Sequence, residues 1–553
     1  MNEEVGKLTR AAGVVGFFTL LSRVSGLFRD IVIGFLFGAQ GAADAYFVAF
    51  RIPNLLRRLT AEGALTVAFI PVFTNYLAKG GKTEAIKVTQ IVFTFLAIFL
   101  GLITILGIVF ARPLTHFFAP GFVQEPEKFQ MAVLLTRWMF PYIFFVSLVA
   151  LAMGVLNALR HFMAPAMSPV LFNLCNIICA ILFYPLLDEP ILGLAFGVLI
   201  GGAAQLLFQI PYLAKQGIHL RFDFNLKHPG LVRLLYLMGP AGFGAAVYQI
   251  NVLVSTMLAS FLPSGSVSYL YYADRFLEFP VGIFAIALGT AALPSFSTLV
   301  VAGNVKELRA TLAYALRIVN FICLPATAGL AVLAVPLFAI FFQRGAFDAT
   351  ATLNSAQALI FFSFGLWSIS GTKLVAPVFY AMEDTKTPVF VGIIAFVVNL
   401  IASLALMGEI NLEGDSAGMM TRMIASASVR IGLVPLGHGG LALATTISSL
   451  CNFFILLLIL HRRLEGISLR EVAQSFMRNL ISTLLMAIPL FWIVGKVDWT
   501  GTGVATYLKA LILACLISLG ISLYLGLSYL LRSTEWQILD QFRRALQSRL
   551  CRR

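Results

Sequence analysis

Apolar runs recur along this chain from Ala11 to Leu531, separated by short polar segments and with no soluble-looking block between them. A helix needs about 20 predominantly apolar residues to cross a bilayer's hydrocarbon layer, and the runs supply about 14 such segments. They cover residues 11–37, 43–76, 86–110, 131–158, 163–184, 191–213, 231–261, 266–299, 312–341, 353–381, 388–407, 440–460, 476–494 and 504–531. The second and the eighth are long and contain Pro53 and Pro280, where a helix loses a hydrogen bond and bends. The pattern predicts an all-α integral membrane protein.

Basic residues test the count, because cytoplasmic loops carry an excess of Lys and Arg. With the N-terminus in the cytoplasm, Lys79, Lys82, Lys87, Arg160, Lys215, Arg221, Lys227, Arg233, Lys306, Arg309, Lys386, Arg462 and Arg463 all fall on one side. By this count about 24 Lys and Arg lie inside against about 8 outside, which favours an even number of spans with both termini cytoplasmic. Past Arg532, the apolar residues Trp536, Leu539, Phe542 and Leu546 repeat at helical spacing ahead of a basic end. That pattern predicts an amphipathic helix on the cytoplasmic surface, attracted to anionic lipid.

Composition narrows the class. Of 553 residues, 59% are hydrophobic and 12% charged, and mean hydropathy is +0.92, whereas an ordinary soluble domain carries about 25% charged residues. The formal charge of +14 is spread over short loops between apolar runs, which reads as membrane topology and not as a nucleic-acid surface. Six scattered cysteines form no C-x-x-C pair and suggest neither metal nor disulfide. The polar start with Glu3 and Glu4 is a poor cleavable signal peptide, so the first span is expected to be retained.

The chain resembles itself. The segment from Ala45 to Pro53 aligns with Tyr272 to Pro280, 227 residues on, and Asn157 to Pro165 aligns with Tyr380 to Pro388, 223 residues on. Gly193-Leu194-Ala195 aligns with Gly440-Leu441-Ala442 only after 247 residues, so the second half carries an insertion, within 408–439. Two parallel six-span repeats with two added spans follow: an N-terminal lobe at 1–225, a C-terminal lobe at 226–465, two further spans in 466–531 and a cytoplasmic tail at 532–553. Such repeats predict a cleft at their interface and transport by alternating access.

Charges within the spans mark the candidate site, since each costs about 2.5–3.5 kcal/mol on insertion scales unless it meets a cavity or a partner. Span one holds Arg23, Arg29 and Asp30; span two holds Asp44, Arg51, Arg57, Arg58 and Glu62; span eight holds Asp274, Arg275 and Glu278; Lys373 stands mid-span in the tenth. Arginine stays ionised and offers a planar fork of donors matched to phosphate oxygens, so the group reads as an anion site. Pairing with neighbouring carboxylates, or snorkelling to the interface, is the structural alternative for each arginine taken alone.

These same residues carry a family resemblance. Ser22-Arg23-Val24, Gly26-Leu27-Phe28-Arg29-Asp30, the run from Asp44 to Arg58, Ala61-Glu62-Gly63-Ala64, Ala119-Pro120-Gly121-Phe122, Gly265-Ser266-Val267-Ser268 and Tyr271-Tyr272-Ala273-Asp274-Arg275 resemble the signature of the MurJ/MviN lipid II flippases. The resemblance implies the MOP exporter fold, two six-helix lobes around a central cavity plus two C-terminal helices forming a groove for a lipid tail. It also implies the substrate, undecaprenyl-diphosphate disaccharide pentapeptide, moved from the cytoplasmic to the periplasmic leaflet of the inner membrane, with membrane lipids and the cell-wall synthesis machinery as further partners. Arg23, Arg29, Arg57 and Arg275 are the expected substrate ligands, and Asp30, Asp44, Arg51, Arg58, Glu62, Asp274, Glu278 and Lys373 the expected cavity and gating charges. No metal or cofactor is expected. Where some members place sodium-binding carboxylates, this chain offers Gln249, Asn251 and Asn399, which speaks against sodium and leaves the membrane potential as the coupling force. The insertion at 408–439 is longer than the family's pattern.

Two rival readings remain. A polysaccharide-lipid or drug exporter of the same superfamily shares the fold, but cationic-drug export predicts an acidic cavity, contrary to the arginine excess. An intramembrane enzyme acting on polyprenyl phosphates needs paired carboxylates for magnesium or a nucleophile–base pair, and no such constellation is visible.

Overall fold

The computed structural model describes residues 2–58, 65–410, 419–501, 503–533 and 535–536. Among these the chain is helical without strands: α1 Asn2–Phe37, α2 Gly41–Arg57, α3 Thr66–Val109, α4 Ala111–Phe118, α5 Pro126–Met139, α6 Tyr142–Ala158, α7 Met163–Phe183, α8 Leu192–Lys215, α9 Pro229–Ala259 and α10 Ser266–Pro280. There follow α11 Ile286–Val301, α12 Val305–Val332, α13 Ala334–Phe341, α14 Ala349–Ser363, α15 Leu366–Ala381, α16 Lys386–Leu406, α17 Met419–Ile431, α18 His438–Arg463, α19 Leu469–Val494 and α20 Thr506–Leu530. Ten stretches among the described residues are long and apolar enough to cross a membrane, or eleven if α14 and α15, bent by 43°, form one span. The fourteen segments expected from the sequence each correspond to helical structure, but a count of fourteen spans is not confirmed. α2 has 17 residues, and the second and third expected segments share α3, a 44-residue element broken at Gly81.

The repeat is visible in the backbone. The short helix α4 and its counterpart α13 both run eight residues, and α7 and α16 both run 21, each pair 223 positions apart. The break at Gly81, with φ of 72°, recurs at Gly303, with φ of 65°, where α11 gives way to α12. The turn before α7 places Arg160 at φ 60° and the turn before α16 places Glu383 at φ 58°. In the first turn His161 N–H donates to Leu156 O (2.8 Å); in the second Asp384 N–H donates to Phe379 O (2.9 Å). A non-glycine residue in this region is uncommon, so its recurrence at matched positions supports the duplication. The matched helices α2 and α10 also loosen past Pro53 and Pro280: Val281–Ala285 is π-helical, and so is the backbone at Arg58 and Leu65, as expected where proline removes a bond from the ladder.

Two compact units emerge from the packing, one comprising 1–268, 344–347 and 413–421, the other 269–343, 348–412 and 422–553. In the first, α7 packs on α8 and α1, α3 on α6 and α9, and Tyr46, Phe47, Phe69 and Phe73 are fully buried. In the second, α16 packs on α18, α12 on α19 and α15 on α11, around Tyr272, Phe296, Phe338 and Phe379. The added pair α19–α20 is tied to α12 by Tyr524, whose hydroxyl donates to Phe321 O (2.7 Å) and lies 3.1 Å from Asn479 Oδ1. Beyond α20, the Glu535 carboxylate is buried and accepts from Arg317 Nε (2.8 Å). The rest of the expected amphipathic tail, from residue 537, lies outside the described residues.

The insertion holds an element the sequence pattern does not announce. α17 covers 13 residues of the segment 408–439, and its buried face is Thr421, Ala425 and Ser428. Small and polar residues in those positions give no apolar stripe for a sequence reading to find.

Candidate anion-binding site

In the first unit the charges of α1 are drawn into packing. Arg29 is 4% exposed and Asp30 fully buried. Arg29 Nε and Nη2 both donate to Asp30 Oδ1 (3.0 and 2.7 Å), and Nη1 donates to Asn173 Oδ1 on α7 (3.2 Å). Asn173 Nδ2 in turn donates to Ser22 O (3.1 Å) and Ser25 Oγ (3.0 Å), which fixes α1 against α7. The guanidinium also lies 6.0 Å from the centre of the Phe172 ring. Arg23, two turns earlier on α1, is half-buried.

Asp44, near the start of α2, is 1% exposed and caps the beginning of α10. Its Oδ2 accepts the Gly265 N–H (2.7 Å), and its Oδ1 accepts the Ser268 N–H (2.8 Å) and the Ser268 hydroxyl (2.6 Å). The first N–H groups of a helix have no partner within it and carry positive partial charge, so a carboxylate there satisfies both needs. Lys128 of α5 completes the cluster: Nζ is 3.3 Å from Asp44 Oδ2 and 3.3 Å from Glu125 Oε1, and stands 4.4 Å from the Phe122 ring centre. The Ala119-Pro120-Gly121-Phe122 motif has a steric reason in the same place. Gly121 N–H donates to Ser260 Oγ (3.0 Å), and a Cβ at Gly121 would stand 2.2 Å from Ser260 O.

The rest of α2 is less enclosed. Arg51 donates to the buried Thr256 hydroxyl of α9, Arg57 Nε donates to Asn54 Oδ1 (2.9 Å), and Arg57 and Arg58 are half-buried. Glu62 lies outside the described residues.

The second unit gathers a different group. Arg275 Nη1 donates to Glu278 Oε2 (3.0 Å), and Nη2 donates to the Tyr271 hydroxyl (2.8 Å), with the guanidinium carbon 5.1 Å from the Tyr271 ring centre. Successive turns of one helix face thus hold the arginine along an aromatic ring. The side chains stay accessible, Arg275 at 28% and Glu278 at 41%, and Asp274 beside them is exposed. Lys373 of α15 is also exposed and lies within electrostatic reach of Glu278. α11 approaches α15 so closely there that a Cβ at Gly289 would meet Lys373 O at 2.6 Å. Arg275 and Glu278 are thus one pair, with Lys373 within electrostatic reach, at a helix whose π-helical turn begins three residues past Glu278.

Sequence reasoning missed Lys128, Asn173 and Ser268. Lys128 sits in a polar stretch that reads as a loop; the signal for it was Glu125 three positions before. Asn173 and Ser268 are uncharged, and although Ser268 closes the Gly265-Ser266-Val267-Ser268 motif, only the fold shows what they bond.

A multi-helix membrane protein with duplicated halves and basic residues within its spans belongs to the class of membrane transporters. Its fold agrees with solved transporters of the MOP superfamily: an inward-facing multidrug-resistance MATE transporter superposes with a TM-score of 0.63 over 82% of this chain and 98% of its own, at 16% identity. A structure described as lipid II flippase MurJ in an inward closed conformation superposes with a TM-score of 0.74 at 25% identity, over 95% of this chain and 99% of its own. Residues 33–513 match the family described as lipid II flippase MurJ. A probable lipid II flippase MurJ of Vibrio cholerae is 37% identical over 535 residues, 95% of this chain and 96% of that one, and a lipid II flippase MurJ of Burkholderia cenocepacia is 35% identical over 533. The chain belongs to the MurJ family of lipid II flippases.

Proposed function

We propose that this protein carries lipid II across the bacterial inner membrane, from the cytoplasmic to the periplasmic leaflet, as a transporter and not an enzyme. The family match over residues 33–513 carries the reading. Within it, Arg275 is the second unit's phosphate ligand, and Arg23 and Arg57 are the first unit's. Arg275 is the strongest of these on chemical grounds. Its fork is oriented by Tyr271 and Glu278 yet reachable, and a guanidinium so held loses little freedom on meeting a diphosphate. Arg29 is shielded by Asp30 and Asn173, and its part is to hold positive charge and α1 in place.

Both termini lie in the cytoplasm, and the lipid's polyprenyl tail stays in hydrocarbon beside α19 and α20. The arginines are exposed in turn to the two faces of the membrane. With the cytoplasm negative, the unloaded basic carrier is drawn inward by about 2.3 kcal/mol per charge per 100 mV, so the membrane potential resets it without a nucleotide or a bound ion. Cell-wall synthesis enzymes consume the delivered precursor and are its natural neighbours.

The test is translocation of lipid II by the purified protein in proteoliposomes. Arg275→Ala is expected to abolish flipping while the fold is retained, and dissipating the potential is expected to slow the wild type. Unimpaired flipping by Arg275→Ala would remove the arginine from the site.

A further inference from the structure

The insertion between α16 and α18 has no counterpart between α7 and α8, where Tyr184–Ile191 makes a short connection. Its helix is inverted relative to a soluble surface helix. The inward residues Thr421, Ala425 and Ser428 are small or polar, while Met423 is 61% exposed and Val429 55%. The chain leaving α17 is apolar as well: Ile431, Leu433 and Val434 are 38%, 78% and 48% exposed, with only Gly432 among them.

Backbone bonds tie this patch to the end of α16. Leu433 N–H donates to Ala405 O (2.8 Å) and Leu436 N–H to Leu406 O (2.9 Å), so the exposed leucine is stitched to the last turn of a spanning helix. Ser428 Oγ accepts the Ile410 N–H (3.1 Å), which seats α17 over the same turn. Below it, α16 presents Phe390, Ile393, Val397 and Ile401 outward along one face, the stripe of a lipid-contacting helix. Arg430 is exposed one turn before Leu433. Exposed apolar side chains tied to the end of a spanning helix, with an exposed arginine one turn away, are the composition of an element lying in a bilayer interface.

We propose that α17 and the loop 431–434 form an interfacial anchor that lies in the leaflet at the outer end of α16 and α18, with Leu433, Val434 and Met423 among the upper acyl carbons and Arg430 on the phosphodiester of an anionic phospholipid. The occupant is the lipid surface. A protein partner would find its contact residues held at acyl depth, where lipid already covers them. The proposal is independent of what the protein transports.

The test uses the full-length protein with a photoreactive benzoylphenylalanine at Leu433, in vesicles of phosphatidylethanolamine and phosphatidylglycerol, read by mass spectrometry of the cross-linked peptide. The same residue at Lys306, exposed in the first turn of α12, is the water-facing control. Phospholipid adducts at Leu433 are expected to exceed those at Lys306 by at least about tenfold, and Arg430→Glu is expected to lower the phosphatidylglycerol share. Should the Leu433 variant fail to fold, Met423 takes the label with the same expectation. Adducts no more frequent than at Lys306, or predominantly to a second protein chain, would overturn the anchor.

Discussion

The matched helices α2 and α10, which carry Pro53 and Pro280 at equivalent positions, share a backbone plan and put it to opposite chemical use. At the positions where α10 carries Asp274 and Arg275, α2 carries Phe47 and Val48, both fully buried; where α2 carries Arg51, α10 carries Glu278. The polar face of α10 stays accessible, whereas α2 spends its buried carboxylate, Asp44, on capping another helix. A charge inside a span is thus not by itself a ligand site. Burial separates the two groups: Asp44, Lys128 and Arg29 are enclosed and hold the fold, whereas the Arg275 side chain stays 28% exposed.

The sharpest way to break this contrast is to remove one carboxylate from each helix. Asp44→Ala leaves the buried Lys128 without its main partner and strips an acceptor from two helix-start N–H groups, and is expected to cost about 3–5 kcal/mol. Glu278→Ala, in a half-exposed pair, is expected to cost no more than about 1 kcal/mol. Thermal unfolding of the detergent-purified variants compares them, and equal losses would erase the distinction.

A smaller effect tests whether the repeats are equivalent where their backbones coincide. Arg160 and Glu383 occupy the left-handed region at matched turns, where a β-branched residue is poorly tolerated. Arg160→Val and Glu383→Val are each expected to destabilise by about 1–2 kcal/mol. Unfolding midpoints that differ strongly between the two would show that the turns are not equivalent.

The smallest expected effect separates those same turns by pH. Asp384 accepts the Thr387 hydroxyl (2.6 Å), the Thr387 N–H (3.0 Å) and a bond from Arg463, and these hold its carboxyl down at about 2; the first repeat has His161 at that position, packed on Tyr212. A carboxyl depressed in the folded state contributes stability above its unfolded value of about 3.9. That contribution is lost as pH falls through about 2. Hydrogen exchange at the Thr387 amide is expected to quicken, relative to intrinsic rates, between those two values, with no matching change at the start of α7. Identical acid loosening at both turns would contradict the assignment.

Most of the helical framework was legible in the sequence because long apolar runs and two prolines announce themselves. Even the duplication was readable, since turns built on Asn157 to Pro165 and Tyr380 to Pro388 retain local signals. Three things were not legible. The extent of the helical arms of α3 on either side of the Gly81 break needed the backbone, because a polar Lys-rich stretch reads as a loop. α17 hid behind a small, polar buried face. The sequence placed Arg29 and Arg275 on equal terms, because the partner that buries Arg29, Asn173, is 144 residues away and carries no charge.

Retention of lipid II in native mass spectra tests the role of Arg275 most directly. Arg275→Ala is expected to weaken retention by about tenfold or more, as loss of a charge-assisted phosphate contact worth roughly 1.5–3 kcal/mol requires, with no comparable change for a lipid of neutral headgroup. Unchanged retention of lipid II by Arg275→Ala, in protein of wild-type stability, would contradict the account.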